Sequence, residues 1–228
     1  SLYIVKTCGM LSLTEENYLK AIYHLSDGGT KSVLTNELAE AMRTKPASVT
    51  DMVKKLSVKK LITYEKYYGV TITKQGKTDA LTIIRKHRLW ETFLVEKLNF
   101  HWDQVHEVAE QLEHIQSPLL IEKLDEFLNF PIADPHGHPI PDKNGKIHTG
   151  EQTLLCDIPG KKTVTVLAVN VKESSSFLQY LSKIGVYIGA KLSILDKAEF
   201  DGSIEIMIDG KKKVFISKEA SQNILVTP

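Results

Sequence analysis

Val49, Met52, Val53 and Leu56 recur at i, i+3, i+4 and i+7, the stripe of an amphipathic helix whose other side carries Ala47, Thr50, Asp51 and Lys54. The segment ASVTDMVKKLSVKK is therefore predicted to be a helix with one face in a core. Pro46 stands at its start, where the missing N–H is tolerated. A shorter helix, NELAEAM, capped by Thr35, precedes it with Leu38, Ala39 and Met42 on one face. Only Arg43, Thr44 and Lys45 separate the two. LITYEKYYGVTIT then alternates like a hairpin with Gly69 near its turn, and Thr73 is placed to cap the next helix. Two helices on so short a turn, followed by a hairpin, describe a winged helix-turn-helix.

Helical patterns continue through RKHRLWETFLVEKL and VHEVAEQLEHI. From Glu151 onward the period changes to that of strands: TLLCDIPG, KTVTVLAV, AKLSILDK, SIEIMID and KKVFIS alternate or run apolar, with ESSSFLQYLSKIGV as the one helix. Five short strands with tight turns suggest a small SH3-like barrel. Between these regions PIADPHGHPIPDKNGKIHTG reads as an irregular linker in which His138 and His148 are solvated. The expected class is α+β, in three parts. Residues 1–74 form the winged helix-turn-helix, 75–150 a helical domain with linker, and 151–228 the SH3-like domain.

Composition narrows the chemistry. With 228 residues and 42% hydrophobic content the chain can bury cores for two or three small domains. No apolar run approaches a membrane span, and no signal-peptide pattern opens the chain, so a cytoplasmic location is expected. SLYIVKTCG is read as an upstream extension before a natural start at Met10. Cys8 and Cys156 lack CxxC spacing, which points to reduced thiols rather than a disulfide framework or a zinc knuckle. The net charge of +1 conceals an asymmetry: residues 31–88 hold thirteen Lys/Arg against five Asp/Glu, and the remainder holds sixteen against twenty-three. The basic part coincides with the winged helix, so phosphate is its natural partner. Thr44, Lys45, Ala47, Ser48, Thr50, Asp51, Lys54 and Lys55 are the candidate contacts to double-stranded DNA. Taken singly, each can equally be ordinary surface.

On a helix, His106, Glu110, Glu113 and His114 fall within about a third of the circumference, and His87 and Glu91 are i, i+4 neighbours. Imidazole nitrogens and carboxylate oxygens converging in this way suit a divalent first-row metal, and the hard oxygen donors favour Mn2+ or Fe2+. A hydrated helix face accounts for the same pattern. Two other functions use the same residues: a constitutive DNA-binding module without metal control, and a Mn- or Fe-dependent metallohydrolase, for which no substrate-pocket motif is present.

The order of winged helix, RKHRLWE, VHEVAEQLEHI and a β-rich C-terminal module resembles the diphtheria-toxin-repressor and manganese-transport-regulator family of metal-activated repressors. TEENYLKAIYHL is similar to that family's first helix, and KPASVTDMVKKL to its recognition helix. The resemblance implies a primary metal held by Asn17, Glu110, Glu113 and His114, and a second near His87, Glu91 and His106. DPHG resembles the CPHG of streptococcal manganese regulators, which adds Asp134 and His136 to the second site. Similarity of the C-terminal part to the FeoA module adds Glu173, while Ser176 replaces a usual glutamine. Asn17 stands where the family has Met or Asp, Glu110 where iron-type members have cysteine, and Lys20 where two-domain manganese regulators have glutamate. The family's function implies a non-enzymatic homodimer, activated by Mn2+ or Fe2+, that binds a palindromic operator and controls metal-homeostasis genes.

The basic segment makes salt dependence the first expectation. Affinity for duplex DNA should fall by about a thousandfold or more between about 50 and about 200 mM salt, because lysine and arginine contacts release condensed counterions. A binding titration that stays flat over that range contradicts the assigned reader.

Overall fold

The computed structural model of the protein describes residues 11–170 and 175–228. These form two compact units. Of the described residues, the first comprises 11–86 together with 113–116 and 141–146; the second comprises 87–112, 117–140, 147–170 and 175–228.

In the first unit, α1 (Leu13–Leu25) begins with a capping box: Ser12 Oγ accepts from the Glu15 amide while the Glu15 carboxylate accepts from the Ser12 amide. Its Tyr18, Leu19 and Ile22 are buried. Next come α2 (Thr35–Ala41) and α3 (Pro46–Val58), joined through Arg43 at φ 48°. Thr35 is not the cap of α2. Leu34 holds that position without a side-chain cap, and the Glu37 carboxylate takes its amide at 2.8 Å. The predicted stripe of α3 is buried at Val49, Val53 and Leu56, and the helix ends at Val58, short of Lys59 and Lys60. These side chains share one core with Leu19, Ile22, Leu38, Leu61, Ile62 and Val70. Each fully buried aliphatic chain contributes about 1.5–3 kcal/mol relative to exposure.

The wing is β1 (Ile62–Glu65) paired antiparallel with β2 (Gly69–Ile72), in register Ile62 to Ile72 and Glu65 to Gly69. Gly69 has φ 95°, and a Cβ there would lie 2.4 Å from the Val33 carbonyl oxygen. Only glycine satisfies both constraints. Thr73 does cap α4 (Lys74–Leu98), accepting from the Gly76 amide at 3.1 Å. The boundary between the two units falls inside this helix, after Lys86.

The second unit holds the rest of α4, α5 (His106–Leu112), α6 (Pro118–Phe127) and the C-terminal sheet. Glu113 and His114 lie beyond the end of α5, in a turn, so the predicted helical face extends only over His106 and Glu110. The sheet contains β3 (Thr153–Leu154), β4 (Thr163–Val169), β5 (Lys191–Lys197), β6 (Ile204–Ile208), β7 (Lys212–Ile216) and β8 (Ile224–Val226). Its order is β3-β8-β4-β5-β6-β7, antiparallel throughout. Two helices accompany it, α7 (Ser175–Ile184) and α8 (Lys218–Ser221). TLLCDIPG is not a full strand; after Leu154 it becomes a short 3-10 turn. The short segment at Ile224 is the strand the sequence pattern missed, and it inserts between β3 and β4. Three residues are too few for an alternation to register. Among the described residues no helix is long and apolar enough to cross a membrane.

Gly76 carries the clearest stability consequence. A Cβ at that position would sit 2.0 Å from the Leu61 carbonyl oxygen and 3.0 Å from Ile72 Cγ1, although alanine normally favours a helix. Gly76→Ala should therefore destabilise the protein by about 1–3 kcal/mol, the usual cost of overpacking. Urea unfolding reads this directly, and a midpoint equal to or above that of the native chain would contradict the close approach.

Candidate metal centre and nucleic-acid interface

The outer side of α3 presents Ala47, Ser48, Asp51, Lys54 and Lys55 to solvent, with Lys45 exposed at the cap. Thr44 and Thr50 are half-buried, and the Thr50 hydroxyl donates to the Pro46 carbonyl at 3.0 Å. Asp51 and Lys54 lie 3.9 Å apart on the surface, an exposed pair of little energetic weight. The tip of the wing adds a group that strand alternation did not single out. Tyr67 and Tyr68 are 84% and 74% exposed, with Lys66 Nζ 5.0 Å from the centre of the Tyr67 ring. A lysine ammonium and two tyrosine hydroxyls exposed at a hairpin tip are groups able to contact a nucleic-acid backbone.

In the first unit, α1 and the turn after α5 bring together Glu16, Lys20, Glu113 and His114. His114 Nδ1 lies 2.5 Å from Glu16 Oε2. A carboxylate only accepts, so Nδ1 carries a proton, and in the neutral ring Nε2 is the nitrogen with the lone pair. That lone pair faces Glu113 Oε1 at 3.7 Å, and the Glu113 side chain is wholly buried. Gln116 Nε2 donates to the other Glu16 oxygen at 2.6 Å. Asn17 Oδ1, one helical position after Glu16, is buried and has no hydrogen-bond partner. Two ammonium groups balance the carboxylates: Lys20 Nζ is 2.6 Å from Glu113 Oε1, and Lys86 Nζ is 3.8 Å from Glu16 Oε1. Burial lowers the proton affinity of Lys86, against the pull of Glu16 and Glu113.

The second unit gathers a different set around Glu91. Glu91 Oε1 lies 3.0 Å from His87 Nε2 and 3.5 Å from His106 Nδ1, while Oε2 lies 3.6 Å from His136 Nδ1. Burial alone would raise the Glu91 carboxyl, but the bonds from His106, His136 and His87 hold it well below the ordinary range. Glu110 is also here, on α5, with its carboxylate 3.8 Å from His106 Nε2. His136 Nε2 donates to the Trp102 carbonyl at 2.8 Å, which leaves Nδ1 as the lone-pair nitrogen when the ring is neutral. Nδ1 and Glu91 Oε2 are then two acceptors facing each other, and a proton or a metal ion must lie between them.

The segment 134–138 is not loose linker. Asp134 Oδ1 accepts from the amides of His136 and His138 at 2.8 and 3.0 Å, and the His136 carbonyl accepts from the Val169 amide at 3.0 Å. Gly137, at φ 85°, would place a Cβ 1.9 Å from the Leu167 carbonyl oxygen. His138, expected to be solvated, is half-buried with Nδ1 3.3 Å from Asp134 Oδ2. Asp134, His136 and His138 can meet at one ion, as can His87, Glu91 and His106; within each trio the candidate atoms lie within 4.8 Å of one another. Asp134 Oδ2 makes no hydrogen bond, although Arg88 Nε stands 3.6 Å away and offsets its charge. The i, i+2, i+4 spacing of Asp134, His136 and His138 was visible in the sequence; the turn that makes it convergent was not.

Residues 10–70 match a family model described as the iron dependent repressor N-terminal DNA binding domain, and residues 73–142 its metal binding and dimerisation domain. Residues 153–228 match the FeoA domain. A solved manganese-dependent transcriptional repressor in complex with manganese is 34% identical to the chain. The match covers 93% of this chain and 99% of that one, with a TM-score of 0.85. The chain belongs to the iron-dependent repressor family. The iron-dependent repressor IdeR of Mycobacterium leprae is 26% identical over 224 residues, covering 93% of this chain and 96% of that protein. The structure of ScaR with bound Zn2+ is 32% identical, covers 93% and 98% of the two chains, and has a TM-score of 0.75. Members of this family are metal-dependent transcriptional repressors, which points away from an enzyme.

Within this iron-dependent repressor chain the C-terminal module touches the surroundings of the Glu91 cluster at two described points: the Val169 amide donates to the His136 carbonyl, and Ser182 Oγ on α7 accepts from the indole of Trp102, whose own carbonyl accepts from His136 Nε2. Glu173, expected to reach the same cluster, lies outside the described residues. Burial lowers His136, but Glu91 and Asp134 outweigh it and raise the imidazole above its ordinary 6.5. A raised imidazole stabilises the metal-free fold fully below its unfolded value and loses that contribution as pH climbs through the folded one. Metal requires the neutral ring, so its affinity follows the opposite course. Between about pH 6 and about pH 8, metal-free melting temperature should fall while Mn2+ affinity rises, and His136→Ala should flatten both trends. Parallel melting curves and Mn2+ titrations would show it; slopes unchanged in the variant would remove His136 from the centre.

Proposed function

We propose that this family member is a homodimeric repressor in which metal binding by the Glu16 to His114 cluster controls the DNA-reading helix. Residues 1–74 read DNA, 75–150 bind metal and form the dimer, and 151–228 supply the SH3-like module that supports the Glu91 cluster. The observation that carries this most directly lies inside the first unit. Glu16 and Lys20 of α1 meet the ligand candidates His114 and Glu113 at 2.5 and 2.6 Å, and α1 shares its core with α3. Lys59, just after α3, adds an ion pair 2.8 Å long to the Glu15 carboxylate of α1. Whatever restrains α1 restrains the reader.

The donors fit a metal. Asn17 Oδ1 is a buried acceptor without a partner, and Glu113 Oε1 and His114 Nε2 face each other as acceptors. Glu110 is assigned to the same metal by the family resemblance. Mn2+ or Fe2+ would supply the positive charge that lets such acceptors share a centre, and the absence of sulfur among them favours these harder ions. Glu16 orients His114 and fixes its tautomer. Asn17, Glu113 and His114 present lone pairs. His87, Glu91, His106, Asp134 and His136 form the second site, and their greater nitrogen content suits a borderline ion equally well. A ligand shifts a conformational equilibrium only by its differential affinity for the two states, so activation requires that these residues converge best in the DNA-binding form.

On DNA, α3 would enter the major groove with Ala47, Ser48, Thr50 and Asp51 toward base edges. Thr44, Lys45, Lys54 and Lys55 would contact phosphates, with the tyrosines of the wing tip beside the backbone. A two-fold dimer implies a palindromic operator, as expected for a regulator of metal-homeostasis genes.

The test is operator binding with and without Mn2+. Addition of Mn2+ should tighten binding at least about tenfold, a typical allosteric coupling, and a chelator should reverse it. Glu113→Ala and His114→Ala should lose that response while keeping their helicity and their weak nonspecific binding. DNA binding indifferent to chelator would leave a constitutive DNA-binding module as the function.

A further inference from the structure

The cluster that would hold the first metal already contains a cation of its own. Lys20 Nζ lies 2.6 Å from Glu113 Oε1, the same oxygen that faces the lone pair of His114 Nε2. Within the first unit, the two carboxylates of Glu16 and Glu113 are met by the two ammonium groups of Lys20 and Lys86. The cluster therefore needs no divalent ion for neutrality. The two lysines act differently. Lys86 is buried and stands 3.8 Å from Glu16, the residue that orients His114, whereas Lys20 contacts the ligand oxygen itself. Glu113 has no exposed side-chain surface, while Lys20 retains 14%. When a dication reaches Oε1, the lysine has a route to water and the carboxylate has none.

Resting on the metal-controlled reading above, we infer that Lys20 is an intramolecular competitor for the first metal and sets the concentration at which the repressor responds. An ammonium and a dication cannot share one oxygen in a buried site without repulsion, because a low local dielectric strengthens it. Metal binding must break the Lys20–Glu113 pair, and the apparent affinity is lowered by the strength of that pair. A charge-assisted hydrogen bond of this kind corresponds to about tenfold or more in an equilibrium constant. The pair also keeps Glu113 from being a buried, unpaired carboxylate when metal is scarce. Lys20 thus lends stability to the metal-free protein and raises the threshold of the metal-bound one.

The experiment titrates Mn2+ into the full-length chain, following the free-ion paramagnetic resonance signal, for the native protein, Lys20→Met and Lys20→Gln. Thermal melts without metal and with saturating Mn2+ accompany each titration. One class of Mn2+ site should tighten about tenfold or more in both variants. Their metal-free melting temperatures should fall and their metal-induced rise should grow. Glutamine, which can still donate to Glu113, should lose less metal-free stability than methionine. Affinity that is unchanged or weakened in both variants overturns the inference, since a lysine that merely orients Glu113 would weaken binding when removed. Operator binding by the native chain is measured alongside. If it responds to Mn2+ while the affinities stay equal, only the competitor role fails. If no variant binds Mn2+ and operator binding ignores the ion, both the competitor role and the metal-controlled reading fall.

Discussion

Buried lone pairs that face one another are the constraint on which this structure turns. His114 Nε2 opposes Glu113 Oε1, and His136 Nδ1 opposes Glu91 Oε2; in each neutral ring the other nitrogen's N–H donates to an oxygen that only accepts. Such an arrangement is unfavourable unless positive charge enters it. Lys20 brings such charge to Glu113, the imidazoles bring it to Glu91 when protonated, and under the proposed reading a divalent ion would take that place. The tertiary structure around each pair is what keeps the acceptors opposed.

The two clusters are supported by different parts of the chain. In the first unit, α1 supplies Glu16, Asn17 and Lys20 from one side and its apolar face to the core of the winged helix from the other. One helix therefore belongs both to the proposed metal centre and to the winged-helix core, which would be a direct physical route for coupling. In the second unit the support is the backbone itself. The tight turn at Asp134–His138 is locked by side-chain acceptance of its own amides and by the bond to Val169, and Trp102 ties it to α7 of the C-terminal module. Among the described residues, that module meets the turn through the Val169 amide and Trp102 through the Ser182 hydroxyl, contacts that no side-chain motif reveals.

Much was legible from residue order alone. The stripe on α3, the hairpin with Gly69, the cap at Thr73 and the basic segment all follow from local periodicity and from which residues tolerate special backbone conformations. The i, i+4 pair His87–Glu91 was equally local and is close in space. Where the pattern misled, the reason was also local. Glu113 and His114 continue an apparent helical register that ends at Leu112, and His138 sits among prolines and glycines that usually mark loose chain. The last strand is too short for its alternation to be seen, yet it fills a central place in the sheet.

The sequence by itself determined most of the elements, the basic segment and the acidic remainder, and the kinds of donor atom available, because these depend on near neighbours in the chain. Tertiary structure decided which donors meet. Glu16 reaches His114, Lys20 reaches Glu113 and Glu91 reaches His136 across long stretches of sequence. It also decided which ring nitrogen keeps its lone pair and which carboxylate is already satisfied by a lysine. Those outcomes rest on burial and on hydrogen bonds between distant segments, where a displacement of about one ångström makes or breaks a bond, and spacing along the chain carries no record of them.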